Sequence, residues 1–196
     1  SLSSQFLENK SHFWAVVPFH YGIIVITVGH LVAFLIPRTV LAWNSQPLRL
    51  YILEISALIF GFLTLIGLVS IVMRRATISK IRKVTTLTDW ILFGMLLAQV
   101  VSGVGIALFY PWGSSWFASN LSPYLWSIFT LQPDISFVVA MPHIVKFHII
   151  LAFLIIGFFP FTRLVHVLVI PNPYLWRKPQ VVRWYGYRHK RRNTTP

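Results

Sequence analysis

The feature that most constrains this chain is a set of four long apolar runs, at residues 13–36, 50–73, 89–110 and 142–170. Each run is long enough to cross roughly 30 Å of hydrocarbon as a helix rising about 1.5 Å per residue. A water-soluble domain rarely combines 56% hydrophobic residues with only 11% charged ones, as this chain does. The runs therefore predict an all-α integral membrane protein with four transmembrane helices, in a domain of residues 1–170. Pro160 predicts a kink or a tilt in the fourth helix.

Lysine and arginine are concentrated on one side of the predicted membrane domain. They precede the first run, join the second to the third and follow the fourth, at Lys10, Arg74, Arg75, Lys80, Arg82, Lys83, Arg177, Lys178, Arg183, Arg188, Lys190, Arg191 and Arg192. The loops on the opposite side hold only Arg38 and Arg49. Because positive residues stay on the cytoplasmic side, both ends are predicted to be cytoplasmic in the cell inner or plasma membrane. Residues 171–196 then form a basic cytoplasmic tail.

The net charge of +13 and the absence of cysteine exclude several classes of function. In a soluble protein this charge would indicate nucleic acid, but here it flanks membrane spans, so no nucleic-acid partner is expected. The tail interleaves Trp and Tyr with Arg, which favours an acidic protein surface over anionic membrane lipids as its contact. Without cysteine the chain holds no iron–sulfur cluster on its own thiolates, so any such cluster belongs to a partner.

Histidines occur in pairs on the first and the last predicted spans, at His20 and His30 and at His148 and His166. Because these two helices run antiparallel, His20 lies level with His166 toward the inside. By the same argument His30 lies level with His148 toward the outside. His148 and His166 are separated by about five turns of a continuous helix and share one face, while His20 and His30 match less closely. Each pair predicts two axial imidazoles for one iron, and so a bundle that holds two haems b.

Three other interpretations of these histidines compete with haem ligation. A single membrane histidine is more often hydrogen-bonded or interfacial than a metal ligand, but pairs at two matched depths are hard to obtain by accident. Zinc is disfavoured because no carboxylate or thiol completes either pair. The remaining alternative is a haem-free membrane anchor or transporter in which the histidines relay protons.

Several segments of the sequence together resemble one family. They are SLSSQFLENK, PFHYGIIVITVGH followed further on by a proline, KVTTLTDWILFGMLLAQ, and KFHIILAFLIIGFFPFTRLVHVLVIPNPYLWRKPQVVR. The chain resembles, over nearly its whole length, the gamma or cytochrome b subunit of membrane-bound respiratory nitrate reductase. In that family a further helix precedes the SSQ segment, so the resemblance implies that the first of five spans is missing here.

The resemblance implies an electron-transfer subunit of a quinol-dependent oxidoreductase. Quinol from the quinone pool would be oxidised near an outer haem held by His30 and His148, with protons released outside. Electrons would pass to an inner haem held by His20 and His166. They would then reach an iron–sulfur beta subunit and a molybdenum alpha subunit in the cytoplasm. The same dihaem module serving another partner, such as a nitrite-oxidising, sulfite-related or heterodisulfide-type complex, is the alternative.

Arg49 and Glu54 are the candidates for a quinol site at the outer end of the second span. The family carries a lysine in this region, whereas the matching segment PLRLYILE has Arg49 and no lysine. Arginine can donate a hydrogen bond to a quinol oxygen, and a carboxylate can accept its proton. The plainer interpretation is a salt bridge between Arg49 and Glu54 at the interface.

Two cations and two polar residues complete the candidates. Arg163, one turn before His166, and Lys146 on the outer side are predicted to bind haem propionates. Snorkelling to lipid headgroups is the alternative for both. Gln99 and Ser102 lie mid-span on the third helix, where polar side chains either join helices or contact a haem edge.

Overall fold

The computed structural model describes residues 12–167, with side chains described for residues 15–165. Every regular element in that part of the chain is helical. The α-helices are α1 (His12–Leu35), α2 (Pro37–Asn44), α3 (Pro47–Thr77), α4 (Ser79–Arg82), α5 (Leu87–Phe109), α6 (Gly113–Trp116), α7 (Ser122–Phe129), α8 (Ser136–Val139) and α9 (His143–Phe158). The predicted all-α class is confirmed. The predicted basic tail, residues 171–196, lies outside the described residues.

Four helical segments are long and apolar enough to cross a membrane: Ala15–Leu35, Pro47–Thr77, Leu87–Phe109 and His143–Phe161. They begin and end within a few residues of the predicted runs, apart from the end of the fourth. Large apolar side chains in the middle of these helices are exposed, and Ile24, Ile66 and Ile150 are each more than half accessible. Such faces are stable only against lipid, so the chain is a multi-pass membrane protein.

The fourth span ends earlier than its apolar run predicts. The α-helix α9 ends at Phe158 and continues only as a 3₁₀ turn over Phe159–Phe161. Thr162 then adopts an extended conformation, with φ −119° and ψ 168°. Pro160 explains the break, because proline has no backbone N–H and clashes with the preceding turn. Pro160 thus ends the α-helix, where the sequence predicted a kink or a tilt within a longer span.

Because of this break, His148 and His166 do not lie on one continuous helix. His148 lies in α9, whereas His166 lies in a separate 3₁₀ segment, Arg163–Val167, beyond the extended Thr162. Counting five helical turns between the two histidines is consequently not valid. The side chain of His166 lies outside the described side chains, so its assignment to the inner haem stays a prediction.

The spans pack in the order of the sequence: α1 on α3, α3 on α5, and α5 on α9. The closest approach is between α1 and α3, at two glycines. A Cβ atom on Gly22 would collide with Thr64, and one on Gly67 would lie 2.5 Å from the backbone nitrogen of Phe19. Small residues allow such close helix packing in lipid. Within the described residues, α1 and α9 make no comparably extensive contact.

The connection between α5 and α9 is folded over one end of the four spans, which is called the outer end here after the predicted orientation. It contains three short α-helices and a π-helical turn, Phe117–Leu121. Trp112 has a left-handed backbone, φ 66°, at the start of this connection. Ser122 Oγ donates to the carbonyl of Ala33 at 2.8 Å, and Trp126 Nε1 donates to that of Phe34 at 3.1 Å. These bonds attach the connection to the end of α1.

Candidate functional site

The two histidines of α1 are held by their own helix. Nδ1 of His20 lies 2.8 Å from the carbonyl oxygen of Val16, and Nδ1 of His30 lies 2.8 Å from that of Ile26. A carbonyl oxygen can only accept, so Nδ1 carries the proton in both rings. In a neutral imidazole this leaves the lone pair on Nε2. That is the tautomer in which a histidine with an Nδ1–H···O=C bond binds a metal through Nε2.

The histidine of α9 is held by a neighbouring helix instead. Ser102 Oγ lies 2.9 Å from His148 Nδ1, and the Gln99 side-chain amide lies 3.1 Å from His148 Nε2. The Ser102 hydroxyl donates its single proton to the backbone carbonyl of Gln99 at 3.0 Å. Its oxygen therefore accepts a hydrogen bond from Nδ1 of His148. The Gln99 amide therefore donates to Nε2. His148 has the same tautomer as His20 and His30, but its Nε2 lone pair is covered by an amide.

The surroundings of His30, one member of the predicted outer pair, suit a flat ligand. Within the described residues, α1 and α9 do not pack extensively. The His30 side chain is exposed and meets Phe117 edge-on, with ring centroids 5.2 Å apart. The adjoining Gly29 has open space where a Cβ would be. There is thus room for a flat ring beside His30, and its pairing with His148 stays a prediction.

A metal bound by protein side chains alone does not fit the described residues. Nowhere in residues 15–165 do three or more His, Cys, Asp or Glu side chains gather as possible ligands. A structural zinc site needs four such ligands. A porphyrin-bound iron needs only two axial donors, which is what a histidine pair provides.

The alternative interpretation of Arg49 and Glu54 as a salt bridge is wrong. Glu54 accepts hydrogen bonds from the backbone N–H of Ser114, at 2.9 Å, and from the Ser114 hydroxyl. Arg49 lies over the ring of Trp43, 5.2 Å from its centroid. Asn44 donates to the hydroxyls of Ser114 and Ser115, at 2.9 Å each. Glu54 therefore fastens the outer connection to the second span.

A cavity of about 340 Å³ lies beside this cluster, at the outer end of the spans. Its lining is mostly aromatic and apolar: Tyr110, Pro111, Trp116, Asn120, Phe137, Ala140, Met141, Pro142 and Val145. Trp116 follows Ser114 by two residues, and Val145 lies one turn before His148 on α9. The volume and lining are in the range of a site for a small organic ligand. The cavity thus lies between the Glu54 cluster and the helix that carries His148.

The predicted propionate residues have protein partners in the structure. Arg163 Nε lies 3.1 Å from a carboxylate oxygen of Asp89, and the guanidinium also donates to the carbonyl of Val84 at 3.2 Å. Lys146 donates to the carbonyl of Val139 at 2.6 Å. Propionate binding by Arg163 and Lys146 therefore stays a prediction, and it would require each to share or exchange these partners.

The sequence did not predict several polar contacts at the two ends of the spans. Asp89 is 5% exposed and forms a reciprocal capping box with Thr86 at the start of α5. A signal for its pairing existed, because Asp89 and Arg163 lie at the inner ends of two antiparallel spans. No comparable signal identified Asn44 and Ser114, which are 70 residues apart.

The sequence matches the family described as nitrate reductase gamma subunit over residues 1–185. It is 34% identical to the nitrate reductase gamma chain of Bacillus subtilis, covering 92% of this chain and 82% of that protein. It is 35% identical to the respiratory nitrate reductase 2 gamma chain of Escherichia coli, covering 92% and 81%. A shorter match, 29% identical, is to one subunit of the dihydromethanophenazine:CoB–CoM heterodisulfide reductase of Methanosarcina barkeri, covering 64% and 42%. The chain therefore belongs to the nitrate reductase gamma subunit family, whose members are membrane electron-transfer subunits of oxidoreductase complexes.

Proposed function

We propose that this chain is a dihaem b-type membrane subunit that oxidises quinol and passes electrons across the membrane. The recipients are an iron–sulfur beta subunit and a molybdenum alpha subunit of a nitrate reductase. One observation carries the haem assignment: the proposed ligands with described side chains, His20, His30 and His148, each have the proton on Nδ1 and the lone pair on Nε2. Two different hydrogen-bond arrangements give this same tautomer, one within α1 and one between α5 and α9, which favours a common role as Nε2 ligands.

The proposed ligands are His30 and His148 for the outer haem and His20 and His166 for the inner one. When bound, haem iron supplies reversible one-electron transfer, and two imidazoles leave it no open position for oxygen. Neutral imidazoles as ligands would avoid the cost of burying a charge in the membrane. Lys146 and Arg163 are the proposed propionate contacts at the outer and inner levels.

The proposed quinol site is at the outer end, where Ser114 bonds Glu54 and Trp116, two residues further on, lines the cavity. Glu54 is proposed to accept a quinol proton, since it is the acidic side chain of the second span and is bound by neutral donors from Ser114. Arg49 is proposed to donate to a quinol oxygen after leaving the ring of Trp43. The cavity lined by Tyr110, Trp116 and Phe137 would hold the ring.

The proposed orientation places both ends of this chain in the cytoplasm of the cell that bears it. Support comes from the loops of the described part: the connection after α3 holds Lys80, Arg82 and Lys83, whereas the connection after α5 holds no lysine or arginine before Lys146. The beta and alpha subunits would then dock on the side that carries the basic tail.

A direct test uses membranes that contain the chain together with its natural partners. Adding a reduced quinol should produce the absorption bands of reduced b-type haem, and adding nitrate should reoxidise them. Iron–sulfur and molybdenum subunits should co-purify with the chain. Haem that quinol cannot reduce would contradict the quinol assignment, and a colourless preparation would contradict the haem assignment.

A second candidate is the same dihaem module with a different electron acceptor. The observation that favours it is the match to a heterodisulfide reductase component over 64% of this chain. Under this candidate the haem bands would still form, but nitrate would not reoxidise them. The identity of the co-purified subunits separates the two.

A further inference from the structure

We propose that Ser102 and Gly103 of α5 form a cradle that orients His148 and tunes the outer haem. This inference rests on the proposed function, because it assumes that His148 is a ligand. It assigns a positioning role to the third span, which supplies no ligand of its own. We refer to Ser102 and Gly103 as the α5 cradle.

Ser102 determines which nitrogen of His148 is available. Its side chain is 5% exposed, and its hydroxyl proton is already committed to the backbone carbonyl of Gln99 at 3.0 Å. The oxygen can therefore act only as an acceptor toward His148 Nδ1, at 2.9 Å. Such a bond fixes the ring about its long axis and makes Nε2 a stronger donor to iron.

Gly103 sets how close the ring can lie to α5. A Cβ atom at this position would be 3.0 Å from Cε1 of His148, tighter than ordinary van der Waals contact. Cε1 lies between the two ring nitrogens, so any displacement there moves Nε2 as well. A side chain larger than hydrogen would push the ligand away from the position that Ser102 selects.

Gln99 bonds the other nitrogen of the His148 ring. Its amide donates to Nε2 of His148 at 3.1 Å, the same nitrogen that would bind iron. The two interactions are mutually exclusive, because Nε2 has one lone pair. The other side-chain atom, Oε1, is buried without a hydrogen-bond partner among the described residues. Iron on Nε2 would therefore require the Gln99 amide to bond elsewhere, whereas the Ser102 bond to Nδ1 would remain.

Ser102 and Gln99 should differ in their effect on the outer haem. Both side chains bond the same imidazole, yet only the Ser102 bond is compatible with a metal on Nε2. Loss of the Ser102 bond should therefore alter the haem-bound protein, whereas loss of the Gln99 bond should leave its outer haem in place. A merely structural role in helix packing would make the two losses alike.

The test compares variants of the whole membrane complex by redox titration and by electron paramagnetic resonance of the ferric haems. Ser102→Ala should retain both haems but shift the outer one, changing its reduced-to-oxidised ratio about fivefold at a fixed ambient potential, toward reduced. Ser102→Thr keeps the hydroxyl and should restore the wild-type ratio. Gln99→Leu should keep the outer haem with an unchanged ligand signal.

Gly103→Ala should distort or remove the outer haem signal while sparing the inner one. Its matched control is Gly94→Ala, at a position of the same helix where a Cβ meets open space. The cradle is overturned if Ser102→Ala and Gly103→Ala both leave the outer haem as in the Gly94→Ala control. A wild-type chain without haem would instead overturn the proposed function and the cradle together, so the two failures are distinguishable.

Discussion

His30 and His148 are proposed to bind the same iron, yet the protein restrains them in different ways. His30 is exposed and bonds a carbonyl of its own helix, one turn away. His148 is fixed by two side chains of α5, which lies 46 to 49 residues earlier in the sequence. The first restraint exists whenever α1 is helical, whereas the second needs α5 and α9 to pack correctly. The same ligand tautomer thus arises from local structure on one side and from tertiary structure on the other.

Removing either imidazole of the outer pair should cause the largest change in haem content, and the change should be the same for His30 and for His148. His30→Ala and His148→Ala are each expected to abolish the outer haem and halve the haem content, and His166→Ala is expected to abolish the inner one. Quantitative haem extraction measures this. His143→Ala is the matched control, since that exposed histidine at the start of α9 has no proposed iron. Unchanged haem content on replacing any of the four proposed ligands would break the ligand map.

Glu54→Gln should slow quinol oxidation without changing the surroundings of His30 or His148. Glutamine still accepts hydrogen bonds from Ser114, so the outer connection stays attached, but it cannot take a proton at neutral pH. Quinol oxidation is expected to slow on the order of a hundredfold, with haem content unchanged. Steady-state quinol oxidation measures the rate. Unchanged turnover would reduce Glu54 to a residue that only fastens the connection.

Gly67→Ala should disturb the side of the molecule that carries His20 and His30. The new Cβ would lie 2.5 Å from the backbone nitrogen of Phe19, and backbone cannot move aside without shifting α1. The free energy of unfolding is expected to fall by about 1–3 kcal/mol, as for other overpacked sites. Thermal unfolding in detergent measures it. Gly157→Ala, where a Cβ meets open space, should behave as wild type and serves as the control.

Asp89→Asn should weaken the opposite side, where α5 meets the end of the fourth span. Asparagine preserves the capping acceptor for Thr86 but removes the charge that faces Arg163. Because the Arg163 side chain is 43% exposed, solvent screens the pair, and we expect a loss of about 1 kcal/mol. A double-mutant cycle with Arg163→Gln measures the coupling. A coupling indistinguishable from zero would show that the pair does not hold α9 to α5.

The spans could be predicted closely because apolar length and flanking basic residues are properties of the local sequence. The end of the fourth span could not, although Pro160 marked it, because sequence alone does not distinguish a kink from a break. The short helices of the outer connection could not be predicted either, since they depend on bonds between distant residues, such as that from Ser122 to Ala33.

The site was predictable in its residue types but not in its contacts. Gln99 and Ser102 stand out in the sequence as polar residues in an apolar span. Their partner, His148, depends on how α5 and α9 rotate about their axes, which spacing does not determine. Glu54 illustrates the same limit: Arg49 is one turn away in sequence, yet Ser114, 60 residues away, is its partner.

The central claim is that histidines from the first and last spans hold two haems, one at each depth. The most direct measurement is the haem content per chain of the purified complex, combined with a potentiometric titration of its b-type absorption. The account predicts two haems that titrate as two separate one-electron components. A single component with one haem per chain, or no haem at all, would contradict it.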